Sequence, residues 1–198
     1  GSGIAMGLPE NFRTRGNLEE RAAPALPSII GRAAVIAGSC SKMTRAQVAY
    51  SKSNWPSFNI DPNAIADGKD VESEVIAWVK EQDENAPVLI YSSADPVDVA
   101  IAQEKYGRER AGEMVEATMG NIAKGLLDLG VRQLVVAGGE TSGAVVKALD
   151  VKALRIGPEI DPGVPWTETF GGVPVALALK SGNFGAENFF EKSLGMLP

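Results

Sequence analysis

Glycine and hydroxyl residues follow several apolar segments of this sequence, and their chemistry suits an anionic ligand. The segment 134–149 reads LVVAGGETSGAVVKAL. Its apolar start is typical of a buried strand in a parallel sheet, and Gly138 and Gly139 allow the chain to turn sharply. Thr141 or Ser142 is then expected to cap a helix. A strand, a glycine turn and a helix start together leave backbone N–H groups unpaired at the positive end of a helix dipole, which favours phosphate or carboxylate.

The glycine turn matches neither of two familiar phosphate motifs. No Gly-Lys-Ser/Thr follows it, so it is not a P-loop, and its spacing is not the GxGxxG of dinucleotide-binding domains. Glycines also occur at such connections for reasons of chain geometry alone. For this segment taken by itself, both interpretations stay open.

A second segment repeats the arrangement nearer the amino terminus. Residues 33–37 (AAVIA) predict a strand, and GSCS and a helical segment follow. The hydroxyls of Ser39, Ser41 and Thr44 suit phosphate oxygens or a magnesium-bound water. The alternative is that these serines only cap the helix. Cys40 is expected to be a small buried side chain, because no histidine is present to activate it as a nucleophile.

A cation follows a third apolar strand, predicted at 173–179 (VPVALAL). We expect Lys180 to neutralise phosphate charge, while Gly182 and Asn183 allow close approach of the backbone. The alternative is that Lys180 is an ordinary surface charge.

Three carboxylates are candidates for binding magnesium through water. Asp95 follows a strand predicted at 88–91, although Asp before Pro is also a common turn pair. Glu140 lies in the glycine turn. Asp161 lies in 157–166 (GPEIDPGVPW), which we predict to be an irregular segment that forms either a pocket wall or a surface loop.

The strands expected near residues 35, 89, 136 and 177 are each followed by a small-residue loop and a helix. This alternation predicts an α/β fold with a layered, largely parallel sheet and helices on both faces. The ligand loops then gather at the carboxyl-terminal edge of the strands. Residues 1–30 are rich first in glycine, then in charge, then in proline and alanine, and we expect an arm or linker there. Residues 31–198 form the domain.

Composition excludes several classes of function. The net charge of −6 argues against nucleic-acid binding, which usually needs a basic surplus. The absence of histidine excludes a Ser-His-Asp triad and histidine metal sites within these 198 residues. A single cysteine fits a reducing, cytoplasmic compartment. We see no apolar segment of membrane-spanning length and no signal peptide.

Four motifs in order, GSCS-x-x-T, VVAGGETSG, IGPEIDPGVPW and LKSGNFG, resemble the C-terminal nucleotide-binding domain of the four-carbon acid sugar kinase family. The resemblance covers essentially the whole chain. It implies that Mg²⁺-ATP donates its γ-phosphoryl group to a hydroxyl of threonate, erythronate or 3-oxo-tetronate, in carbohydrate metabolism. The ATP-binding residues that follow from it are Ser39, Ser41, Thr44, Gly138, Gly139, Glu140, Thr141, Gly182 and Asn183. Phosphoryl transfer needs mainly positioning and charge neutralisation, so the lack of histidine is no obstacle.

Members of this family carry an N-terminal domain that supplies most of the sugar-acid site, and these residues do not include it. We therefore expect nucleotide binding without turnover in the chain alone. The catalytic base, the acid sugar and any association of identical chains stay open. Two alternatives remain: a non-catalytic module that binds a nucleotide or an acidic metabolite, and a Rossmann-like dehydrogenase domain, against which the missing GxGxxG argues.

Overall fold

The computed structural model describes residues 2–19, 25, 29–92 and 107–197 of the chain. Its strands are β1 Arg32–Ala37, β2 Ser57–Asn59, β3 Val88–Tyr91, β4 Val131–Ala137, β5 Leu154–Asp161, β6 Val164–Thr169 and β7 Ala176–Lys180. Its helices are α1 Ser2–Thr14, α2 Lys42–Ser51, α3 Pro62–Ala66, α4 Val71–Lys80, α5 Arg108–Asp128, α6 Gly139–Ala148 and α7 Phe189–Gly195.

One sheet contains all of these strands, in the order β2-β3-β1-β4-β7-β6-β5. The neighbours β2, β3, β1, β4 and β7 pair in parallel, so their carboxyl ends meet at one edge. Strands β6 and β5 extend the sheet antiparallel to β7. The predicted α/β fold with a largely parallel sheet is confirmed.

Helices cover both faces of the sheet because the central strands are apolar on both sides. In β1, Ala34 and Ile36 belong to one core cluster, whereas Val35 and Ala37 belong to the other. This alternation is the two-residue period of a strand. The first cluster includes buried side chains of α3, α4, α5 and α6, and the second includes side chains of α2 and α7.

The carboxyl-terminal third of the chain differs from the sequence prediction. The segment predicted to be irregular forms a β-hairpin, in which β5 pairs with β6 from Leu154 opposite Thr169 to Asp161 opposite Val164. Trp166 packs in the core with no exposed surface, and its Nε1–H donates to the Ser193 carbonyl over 2.9 Å. This buried ring stabilises the hairpin against α7. Its burial outweighs the turn tendency of the surrounding prolines and glycines.

The start of α6 also differs from the prediction. The helix begins at Gly139, and its N-cap residue is Gly138, which makes no side-chain capping bond. The expected capping role of Thr141 or Ser142 is therefore wrong, since both residues lie inside the helix.

The amino-terminal segment forms α1, which carries the exposed apolar side chains of Leu8 and Phe12. None of the helices in the described ranges combines the length and apolar character that a membrane span requires.

Candidate functional site

At the centre of the sheet the chain leaves two neighbouring strands toward opposite faces, and we call the surface between the loops that follow these strands the crevice. Strand β1 lies between β3 and β4. After β1 the chain continues into α2 on one face of the sheet, and after β4 it continues into α6 on the opposite face. Such a point, beyond the carboxyl ends of parallel strands, is where open α/β sheets bind ligands.

Glycines let the loops of this crevice approach one another closely. A Cβ atom added to Gly38 would overlap the hydroxyl of Thr141, and one added to Gly138 would lie 2.8 Å from the same oxygen. A Cβ on Gly182 would lie 2.5 Å from the Ser39 Oγ and 2.8 Å from the Ser41 Oγ. The loops after β1, β4 and β7 therefore form one continuous surface. Apart from Thr44, the residues predicted to bind ATP lie in these loops or in the first turn of α6.

The start of α6 presents backbone donors to this surface. Gly138 has a φ of 133°, a conformation that favours glycine, and its N–H donates to the Lys180 carbonyl over 2.9 Å. The N–H groups of the next residues have no acceptor within the helix, because the first turn of any α-helix leaves them unpaired. Gly139 is exposed, and a Cβ there would meet nothing within 4 Å. An anion can thus reach these donors.

The two serines after β1 make local hydrogen bonds. The Ser41 Oγ accepts from the Thr44 N–H and caps α2, and the Ser39 Oγ accepts from the Ser41 N–H, both over 3.2 Å. Each hydroxyl still has a proton to donate, and both side chains are half-buried at the crevice. Capping and ligand binding are therefore compatible here. Cys40, expected to be buried, is exposed.

Lys180 lies beneath the loops, with 1% of its surface exposed. Its Nζ donates to the Thr44 Oγ1 and to the carbonyls of Ser181 and Gly182 over 3.0–3.2 Å. Burial lowers the pKa of Lys180 to about 8. All three ammonium protons thus have acceptors within the protein. Direct neutralisation of phosphate by Lys180 stays a prediction.

Two predicted ligand residues are also turned away from the crevice. Thr44 is fully buried, and its hydroxyl donates to the Gly182 carbonyl over 2.8 Å. Thr141 is 3% exposed and packs between Gly38 and Gly138. Both side chains support the loops in this structure, and their contact with ATP stays a prediction.

The predicted acidic residues occupy different places. Glu140 is exposed in the first turn of α6 and faces Glu116 of α5. Burial raises the pKa of Glu116, and the charge of Glu140 and a hydrogen bond with it raise this pKa further. Asp95 lies outside the described residues. Within the described ranges, no group of three or more acidic, cysteine or histidine side chains could hold a metal ion.

Asp161 ties the tip of the β5–β6 hairpin to the loop after β7. Its carboxylate accepts from Lys192 and from the Ala186 N–H. Burial alone would raise the pKa of Asp161, but these hydrogen bonds and the Lys192 charge hold it below its usual value. Magnesium binding at Asp161 stays a prediction. At the same tip, Gly163 packs beside the Phe184 ring, so the hairpin borders the loop that contains Gly182 and Asn183.

Sequence reasoning missed Gln47, a fully buried residue of α2. Its Nε2 donates to the carbonyls of Phe184 and Ala186 over 3.0 and 2.9 Å. A polar residue on a helix normally faces solvent, so only its position among the apolar residues of α2 could have signalled this role.

Comparison with known proteins identifies relatives along the whole chain. A protein named 3-oxo-tetronate kinase from Burkholderia multivorans is 56% identical over 198 residues, which are 100% of this chain and 46% of that protein. One of the same name from Pseudomonas fluorescens is 54% identical over the same shares. The chain thus spans about half the length of these relatives and matches their C-terminal half.

Solved structures agree with the fold. A Salmonella typhimurium LT2 protein described as a putative tRNA synthase superposes with a TM-score of 0.83 at 36% identity, over 100% of this chain and 46% of that one. A Haemophilus influenzae protein gives a TM-score of 0.81 at 32% identity, over 94% and 45%. The model of the nucleotide-binding C-terminal domain family matches residues 34–190. The three loops that meet at the crevice agree with this match. The chain belongs to the nucleotide-binding C-terminal domain family.

Proposed function

We propose that this chain is the ATP-binding half of a kinase that phosphorylates a hydroxyl group of a four-carbon sugar acid, of the 3-oxo-tetronate, threonate or erythronate type. The observation that carries the proposal is that three glycine-containing loops meet beyond the carboxyl ends of β1 and β4, around the start of α6, which has no side-chain cap. The relatives named 3-oxo-tetronate kinase support the choice of substrate class.

In this proposal the triphosphate lies on the N–H groups of Gly139 and Glu140, and the hydroxyls of Ser39 and Ser41 donate to it from the facing loop. The missing side chain of Gly139 leaves room for phosphate oxygens to approach the backbone. Phosphoryl transfer depends on such positioning and on charge stabilisation, and these donors supply both without reorganising.

Magnesium fits this site as a partner of the phosphates rather than of a protein cage. Mg²⁺ keeps several waters and typically binds one or two carboxylates together with substrate phosphates. We assign this role to Glu140, an exposed carboxylate in the first turn of α6 that faces Glu116 in this structure. When bound, the ion supplies charge neutralisation at the transferring phosphoryl group.

The sugar acid is held, in this proposal, by the half of the kinase that precedes this domain. The chain spans 46% of the relatives' length, and the remainder has room for a substrate domain. Residues 1–30 then connect the two halves, and residues 31–198 form the nucleotide-binding domain. ATP is made and used in the cytoplasm, so the proposal includes a cytoplasmic location.

Calorimetric and thermal-shift titrations with Mg²⁺-ATP, Mg²⁺-ADP, NAD and threonate test the nucleotide site. We expect the adenine nucleotides alone to bind. At ~100 times its dissociation constant, a ligand should raise the free energy of unfolding by about 2.7 kcal/mol. Threonate should give no response, since its site lies in the other half. A response to NAD, or none to ATP and ADP, would contradict the proposal.

A further inference from the structure

Three buried polar side chains support the loop after β7, which we define as residues 181–186. They are Lys180, Thr44 and Gln47, with exposed fractions of 1%, 0% and 0%. Burying an amide or an ammonium group is costly unless hydrogen bonds compensate it. The compensation here comes from the loop, because all three side chains donate to its backbone carbonyls.

These hydrogen bonds turn four loop carbonyls inward. Lys180 holds the carbonyls of Ser181 and Gly182, and Thr44 holds the latter as well. Gln47 holds the carbonyls of Phe184 and Ala186. Helix α2 thus hydrogen-bonds the loop through two residues, Thr44 and Gln47, that lie about one helical turn apart.

The inward carbonyls determine where the loop N–H groups point. In a planar trans peptide, the C=O of one residue and the N–H of the next point in opposite directions. The N–H groups of Gly182, Asn183, Gly185 and Glu187 therefore point away from the buried donors. Two of these groups, those of Gly182 and Asn183, are successive, and successive N–H groups that point outward can form a concave site for anions.

We infer that Gln47 is a positioning residue for nucleotide phosphate, because it holds the loop after β7 with its carbonyls inward and its N–H groups toward the ligand. This inference rests on the proposed function. Gln47 does not touch the ligand and acts through the loop, together with Thr44 and Lys180. Its Oε1 is buried without a hydrogen-bond partner in the described part of the chain, so its position is explained by the two bonds that its amide donates.

The substitution Gln47→Met tests the inference in the full 198-residue chain, because methionine has a similar volume and no donor. Calorimetry gives the dissociation constants of Mg²⁺-ATP and adenosine for each variant. We expect the dissociation constant of Mg²⁺-ATP to rise about tenfold or more, because a displaced loop loses about one hydrogen bond to the charged phosphate. The constant for adenosine should change less than about twofold, because adenosine has no phosphate.

Gln133→Met is the matched control. Gln133 is also buried, and its Nε2 donates to the Ile29 carbonyl over 2.9 Å, but it lies at the start of β4, on the opposite edge of the sheet. This variant should lower the melting temperature and leave the ratio of the two dissociation constants unchanged. If Gln47 were merely structural, Gln47→Met would likewise lower the melting temperature and leave the ratio of the two dissociation constants unchanged.

The pair Thr44→Val and Thr44→Ser provides a second test that holds even where Gln47→Met does not fold. Valine removes the hydroxyl that donates to Gly182, and serine keeps it. We expect Thr44→Val to lose Mg²⁺-ATP affinity selectively and Thr44→Ser to retain it. Equal losses for ATP and adenosine, or no loss in Gln47→Met, would overturn the inference and leave the proposed function intact. Failure of the unmodified chain to bind Mg²⁺-ATP would instead overturn both.

Discussion

Adjacent glycines in this molecule serve different purposes, and the structure separates them. Gly138 is required by the fold, since its φ of 133° and the nearby Thr141 hydroxyl leave no space for a side chain. Gly139 has neither constraint, because a Cβ there would meet nothing within 4 Å. Its lack of a side chain leaves the first N–H groups of α6 open. We therefore assign Gly138 to chain geometry and Gly139 to ligand approach.

The substitution Gly139→Val tests that assignment. We expect it to abolish measurable Mg²⁺-ATP binding, because a branched side chain blocks close approach of phosphate to the backbone. The fold should persist, so circular dichroism and the melting temperature should stay near those of the unmodified chain. Gly139→Ala, with a smaller group, is the graded control. Retained ATP affinity in Gly139→Val would remove the α6 start from the binding site.

Among elements, the contact between α5 and α6 depends on a small residue. A Cβ added to Gly120 of α5 would lie 3.0 Å from the Ala144 carbonyl oxygen and 3.1 Å from the Ala148 Cβ. Gly112, on the same helix, is exposed, and a Cβ there would meet nothing within 4 Å. One helix thus offers two glycines with the same secondary structure and opposite surroundings.

Alanine at these two positions should have opposite effects on stability. Gly112→Ala should raise the free energy of unfolding by about 0.5–1 kcal/mol, because alanine is the better helix former. Gly120→Ala should lower it, because overpacking of a close helix contact costs about 1–3 kcal/mol and exceeds that gain. Urea denaturation of both variants measures the difference. A stabilised Gly120→Ala would mean that α5 and α6 are not closely packed.

The elements show which parts of the fold the sequence could predict. The central strands were predictable because they are short apolar runs, and β3 has the predicted bounds of 88 and 91. The β5–β6 hairpin was not, since Pro158, Pro162 and Gly163 indicate a loop locally, while the burial of Trp166 that decides the outcome is a long-range contact. Tertiary packing overrides local preference at such places.

For the candidate site, the sequence likewise predicted the loops but not the orientation of their side chains. Glycine and hydroxyl residues at strand ends identified the loops, because parallel strands bring their carboxyl ends together. The orientation of individual side chains was not predictable. Thr44 and Lys180 lie in the expected segments but face inward, and only the position of Gln47 within α2 could have signalled its buried role. Local sequence therefore indicates which loops meet, and the packing beneath them decides which groups the loops present at the proposed site.

At the scale of the whole molecule, the sheet gathers the proposed ligand loops at one of its two edges. The loops that we assign to nucleotide lie at the carboxyl edge and contain backbone donors and hydroxyls, and within the described ranges no group of three or more acidic, cysteine or histidine side chains could hold a metal ion. Such a surface can hold and orient a phosphoryl donor. The proposed function therefore assigns the sugar acid, and the group that deprotonates its hydroxyl, to the other half of the kinase.

Joining this chain to such a partner half tests whether the two together form an active kinase. Fusion to the amino-terminal half of the Burkholderia multivorans relative, 56% identical over the matched part, should give Mg²⁺-ATP-dependent phosphorylation of 3-oxo-tetronate. The chain alone should give none, because proximity of donor and acceptor supplies much of the rate. The fusion carrying Gly139→Val is the control and should be inactive. A fusion that binds both ligands without turnover would favour a non-catalytic nucleotide-binding module, since both substrates would then be present without the chemistry.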